Sequence, residues 1–123
     1  MSKASKPWKT DELMIMQAAQ KVLVDEALAF NFNPGRDFQL LRATLVVDAA
    51  VVAVEDFSMT HNSKHGPEFD HVMDTQAMNT KTEHVFDLTA AMEYFYEGDS
   101  IDFAFANSNA NAWTLLINYR EKS

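Results

Sequence analysis

Apolar residues in this chain recur at every second position in short runs, and turn chemistry separates one run from the next. Phe57, Met59 and His61 face one way while Ser58, Thr60 and Asn62 face the other. Ile101, Phe103 and Phe105 alternate with Asp102, Ala104 and Ala106, and Trp113, Leu115, Ile117 and Tyr119 mark a last run. A period of two belongs to a β-strand with one buried face. Runs of this kind, regularly spaced through 123 residues, must cover their apolar faces against each other. The prediction is an all-β fold: an antiparallel β-sandwich, jelly-roll-like, with an extended N-terminal arm.

Between these runs, Phe38, Leu40 and Leu41 lead into Arg42–Val47, whose β-branched and near-continuous apolar character fits a core strand. Phe69–Thr75 sets Phe69, His71 and Met73 against Asp70, Val72 and Asp74, and Glu83–Thr89 continues the pattern. Turns are expected at Asn33-Pro34-Gly35, at His65-Gly66-Pro67, at Glu97-Gly98-Asp99 and over Asn107–Asn111, where Pro presets φ and Gly or Asn tolerates positive φ. The elements flanking Glu97-Gly98-Asp99 are expected to pair as antiparallel neighbours.

The stretch from Leu13 to Phe32 reads two ways. Leu13, Met14, Met16, Ala19, Val22 and Leu23 fit a helical stripe, whereas Lys21–Phe32 alternates as a strand. The strand reading is taken for Lys21–Phe32, which makes residues 1–20 an N-terminal arm and residues 21–123 the sandwich domain. Within the polar start of the arm, Trp8 is the one large apolar side chain.

With 18 acidic against 10 basic residues and a net charge of −8, the chain repels a phosphate backbone, and no nucleic-acid partner is expected. Lys3, Lys6, Lys9 and Lys21 make the N-terminal stretch locally positive, which reads first as a solvated tail and second as an arm docking on an acidic neighbour. The absence of cysteine excludes disulfides and thiolate metal sites, as suits a reducing cytosol. Gln17, Gln20, Lys21, Asp25 and Glu26 interrupt the apolar stretch after Lys9, so no signal core, span or membrane partner is expected.

His61, His65 and His71, near Glu68 and Asp70, are the one constellation with metal-ligand types. The i, i+4 spacing of His61 and His65 has meaning on a helix, but Asn62-Ser63-Lys64 and Gly66-Pro67 make this a loop, so a hydrogen-bonded loop is preferred. His84 has Phe86 as its same-face neighbour and reads as a half-buried strand residue. Glu97, Asp99 and Asp102 gather carboxylates around one turn without the alternating ladder of a calcium loop. No cysteine or G-x-S-x-G elbow supplies a nucleophile. No catalytic residue, metal site or cofactor is expected, and the chain is read as a non-enzyme. Tyr94, Phe95, Tyr96 and Trp113 form the densest aromatic group, read as core, with sugar stacking as the other use.

Three stretches, LLRATLVVDAA, EDFSMTHNSKHGPEFDHVMDTQAM and YFYEGDSIDFAFANSNANAWTLLINY, follow one another between Leu40 and Tyr119. In their order of leading strand, polar strand, aspartate-bearing strand, GD turn and aromatic strand, they resemble a family of small β-sandwich structural proteins of tailed-bacteriophage virions. The resemblance implies a capsid decoration (cement) protein that stabilises the head by contact, located in the virion after assembly in the host cytoplasm. Its partners would be the major capsid protein or another virion protein, and further copies of itself, with a trimer favoured. A head–tail connector or tail component, or a carbohydrate-binding sandwich on the virion surface, are the alternatives. Large apolar groups contribute most to interfaces, so Trp8, Phe30, Phe32 and Trp113 are the candidate contacts.

Overall fold

The computed structural model describes residues 13–22, 26–87 and 94–122. Among them are nine strands: β1 (Leu13–Val22), β2 (Leu28–Phe32), β3 (Phe38–Val47), β4 (Asp56–Asn62), β5 (His71–Ala77), β6 (Glu83–Asp87), β7 (Tyr94–Phe95), β8 (Ser100–Phe105) and β9 (Trp113–Lys122). All of them pair antiparallel. One sheet runs β1-β9-β3-β6, with the short β7 also on β3, and the other runs β2-β8-β4-β5. The all-β expectation therefore holds, and the two sheets share one core.

Alternation decides which side chains enter that core. On β9, Trp113, Leu115, Ile117 and Tyr119 are buried, and on β8 Ile101, Phe103 and Phe105 are. Each such side chain contributes about 1.5–3 kcal/mol on burial. On β3 the alternation would fail without help, because Phe38 and Leu40 are even-numbered while Ala43, Leu45 and Val47 are odd. A register shift between Leu40 and Arg42 against β9 absorbs the extra residue, so both sets are buried. Aromatic rings then bridge the layers: Phe57 of β4 stacks on Phe86 of β6 at 4.8 Å, and Phe32 of β2 meets Tyr119 of β9 edge-on at 4.7 Å.

Several expectations need correction. Lys21–Phe32 is not one strand: β1 ends at Val22 and β2 begins at Leu28, with Glu26 and Ala27 outside any strand. The first sheet starts at Leu13, eight residues before the Lys21 boundary, and of the residues weighed as a helical stripe those from Leu13 to Val22 lie in a strand that pairs with β9 from Leu13↔Lys122 to Val22↔Trp113, while Leu23 lies outside the described residues. Residues 1–12, the rest of the arm, lie outside the described residues, as does the end of the Glu83–Thr89 run beyond Asp87. Phe69 does not join the strand after it. It sits in a single 3-10 turn over Pro67–Phe69 and is 60% exposed, because Pro67 presets the turn and the strand starts only at His71.

The elements flanking Glu97-Gly98-Asp99 do not pair with each other. β7 belongs to the first sheet and β8 to the second, so the turn carries the chain across the sandwich. Phe95 stacks on Phe38 at 4.7 Å and holds β7 on β3. Gly98 turns with φ +96°, and a Cβ there would come within 3.2 Å of the Lys64 side chain. Gly98→Ala is expected to cost about 1–3 kcal/mol, read as a shift in the urea midpoint; an unchanged midpoint would mean that the crossing tolerates an ordinary residue.

The β2–β3 connection follows expectation. The Gly35 N–H donates to Asn33 Oδ1 at 2.9 Å and Gly35 takes φ +78°, an Asx turn closed by glycine.

Candidate functional site

The two ends of the sandwich carry different chemistry. At the end formed by the β2–β3, β4–β5 and β7–β8 connections, His61 and Asp99 meet across 38 residues of sequence. His61 comes inward near the end of β4, and Asp99 sits 3% exposed in the turn just before β8. His61 Nε2 lies 3.0 Å from Asp99 Oδ2. The Tyr96 N–H donates to the same oxygen at 3.2 Å, and the Lys64 N–H donates to Oδ1 at 2.9 Å. Burial raises the Asp99 pKa, but the hydrogen bonds from Lys64, His61 and Tyr96 outweigh it and hold the carboxyl below its ordinary value.

His61 Nδ1, the other ring nitrogen, is buried without a hydrogen-bond partner. The His61 ring lies 4.5 Å from the Phe95 ring and 5.2 Å from the ring of His71, its cross-strand partner on β5. The remaining carboxylates nearby are spent on other partners. Asp70 accepts the Ser63 N–H at 2.7 Å, and Asp37 accepts the Glu97 N–H at 2.8 Å. Asp102 accepts from Asn31 at 2.7 Å and from Asn62 at 2.5 Å, tying β2, β8 and β4 together. The carboxylates of Asp99 and Asp102 thus serve different partners, and His65 lies against Phe69. Among the described residues no three His, Asp or Glu side chains gather as metal ligands do. These acids staple loops to strands.

His84, half-buried on β6, packs edge-on against Phe86 at 4.6 Å as expected for a strand residue. Burial lowers its pKa, opposed in part by Asp74.

On the outer face of β2 and β8, a shallow open depression of about 330 Å³ is lined by Ala29, Phe30, Asn31, Asp102, Phe103 and Ala104. The small Ala29 and Ala104 make the dip and the Asn31–Asp102 bond crosses it. Phe30, one of the sequence candidates for contact, is half-buried there. Phe32 and Trp113 are buried in the core of the single chain, 5% and 2% exposed, and the Trp113 indole N–H donates to the Glu26 carbonyl at 3.1 Å. Trp8 lies outside the described residues. Neither family models nor curated proteins match the chain. Its own surface must therefore supply the functional argument.

At the opposite end, two valines of a single loop stand exposed. The β3–β4 loop runs through Asp48-Ala49-Ala50-Val51-Val52-Ala53-Val54-Glu55. Val51 is buried, while Val52 and Val54 are 75% and 88% exposed. The signal was present as an apolar run next to a strand, but it reads equally well as more strand.

At the first end, Tyr94 and Tyr96 are 44% and 64% exposed on either side of buried Phe95, with the Lys64 ammonium 5.7 Å from the Tyr96 ring centre.

Proposed function

We propose that the chain is a structural protein of a bacteriophage virion, a capsid decoration protein that acts by protein–protein contact as a homo-oligomer. The observation that carries this reading is the strand order. We read β1-β9-β3-β6 facing β2-β8-β4-β5 as a jelly roll, two interlocked Greek keys, an architecture that recurs in viral capsid domains as well as in lectins and cupins. Cupin-type metal chemistry is a poor fit, since His61 is committed to Asp99 and the neighbouring acids to loop N–H groups. Contact is the better fit, because the end loops are hydrogen-bonded to their neighbours and present side chains outward from the sandwich.

Immunogold labelling of intact particles of the phage that encodes the chain tests this directly. Gold on the particle head is the expected result. Label confined to the soluble fraction of the lysate would overturn the reading, and label at the neck or tail would move the protein to a connector or tail role.

A second reading, a carbohydrate-binding sandwich on the virion surface, draws on the exposed Tyr94 and Tyr96, since aromatic faces stack on sugar rings. On that reading Tyr96→Ala lowers retention on a glycan column by about tenfold or more, whereas equal retention of both proteins removes the tyrosines as a platform.

A further inference from the structure

We propose that the β3–β4 loop is the docking site for the N-terminal segment of a second copy, with Trp8 seated against Val52 and Val54. This rests on the assembly reading above and gives it a contact.

The loop is built to hold apolar tips outward. Asn109 Oδ1 accepts the Val52 and Ala53 N–H groups at 2.9 and 3.0 Å, and Asn79 Nδ2 donates to the Val52 carbonyl at 2.7 Å. Thr80 N–H donates to the Val51 carbonyl at 2.7 Å and Val51 N–H to the Lys81 carbonyl at 3.1 Å. Ser108 donates to the Glu55 carboxylate from both its backbone and its hydroxyl at 2.9 Å. Single exposed valines are ordinary, but here side chains from two other loops fix the backbone that presents them. A fixed loop loses little conformational freedom when a partner arrives.

Charge selects the partner. Asp48, Glu55 and Asp56 flank the apolar stretch, Glu26 lies exposed at the same end, and Lys81 is the one basic residue in the adjoining 78–82 connection. The complementary segment in this acidic chain is its own beginning, SKASKPWKT, with Trp8 between Lys6 and Lys9. An apolar pair inside an acidic rim meets an aromatic inside a basic one.

Chain length decides between the same copy and another. Leu13 pairs with Lys122, at the end of the sandwich opposite the loop, while Val22 pairs with Trp113 beside Val47. The ten residues of β1 span about 33 Å, so Trp8 could reach the loop of its own copy only with its few connecting residues, about 17 Å at full stretch, turned back along the sandwich. They fall well short. A neighbour stacked end to end brings its loop within reach. The contact is head-to-tail, so copies related by a closing rotation form a ring.

The test uses full-length chains and light scattering. Trp8→Ala removes the donor, and Val52→Asp with Val54→Asp spoils the acceptor while touching only exposed positions; far-UV circular dichroism verifies that both variants are folded. Wild type is expected as a discrete oligomer and each variant as a 13.9 kDa monomer. Mixed one to one, the variants are expected to form a two-chain species, because one supplies a sound arm and the other a sound loop. An oligomer retained by both variants overturns the docking while leaving the assembly reading intact, and a mixture that stays monomeric also overturns it. A monomeric wild type overturns self-assembly itself.

Discussion

Phe57→Ala is expected to lower the unfolding free energy by about 3–5 kcal/mol, among the largest effects available to a single substitution here. Phe57 is fully buried, stacks on Phe86 of the facing sheet at 4.8 Å and lies 6.4 Å from Phe103 in its own sheet. Removing the ring deletes apolar area and leaves a cavity that two sheets, each held by its own ladder, cannot close without shifting against each other. Urea unfolding followed by circular dichroism measures the loss. Phe69→Ala serves as the control, since Phe69 is 60% exposed, and is expected to change stability by less than about 0.5 kcal/mol. Equal effects at the two positions would mean that Phe57 does not join the layers.

Asp99→Ala is expected to cost about 2–5 kcal/mol. The carboxylate accepts from Lys64, Tyr96 and His61, and its loss strands three donors from two segments, the end of β4 with its following loop and the β7–β8 turn, at the point where the chain crosses between sheets. The pH dependence carries a second signature. Because the folded pKa of Asp99 lies below its ordinary value, the unfolded chain takes up a proton first as the solution is acidified. The contribution of Asp99 is complete above its unfolded pKa, about 3.9, and is lost as the pH falls through the depressed folded value. Asp99→Asn should therefore show a flatter acid limb than wild type as the pH falls below about 4. Parallel acid limbs would assign the acid sensitivity to other carboxylates.

The strands were legible because alternation is a local property. Ile101, Phe103, Phe105 and the four residues from Trp113 to Tyr119 point inward as their spacing requires. Pairing was not legible in the same way. A GD turn between two apolar runs reads as a hairpin, yet Phe95 finds its partner in Phe38, 57 residues earlier, and β7 and β8 separate. The His61–Asp99 clasp was hidden for the same reason. Each residue has a sufficient local explanation, one at the end of a strand and one in a turn, and only the fold brings them to 3.0 Å. Size alone marks Phe32 and Trp113 as contacts, but it does not distinguish a core ring from a surface one. The exposed Val52 and Val54 were missed because their loop continues the composition of β3.

The strand order also sets when this protein can fold. Among the described strands, only β4 and β5 are both consecutive in the chain and hydrogen-bonded to each other. The centre of one sheet waits for β8 and the centre of the other for β9, which holds β1 and β3 apart and begins at Trp113. A ribosome therefore releases almost the whole chain before either sheet can close, and until then its apolar runs depend on solubility or on chaperones. Deleting β9 would remove the partner of two strands at once, so a chain truncated before Trp113 has no half-stable sandwich to fall back on.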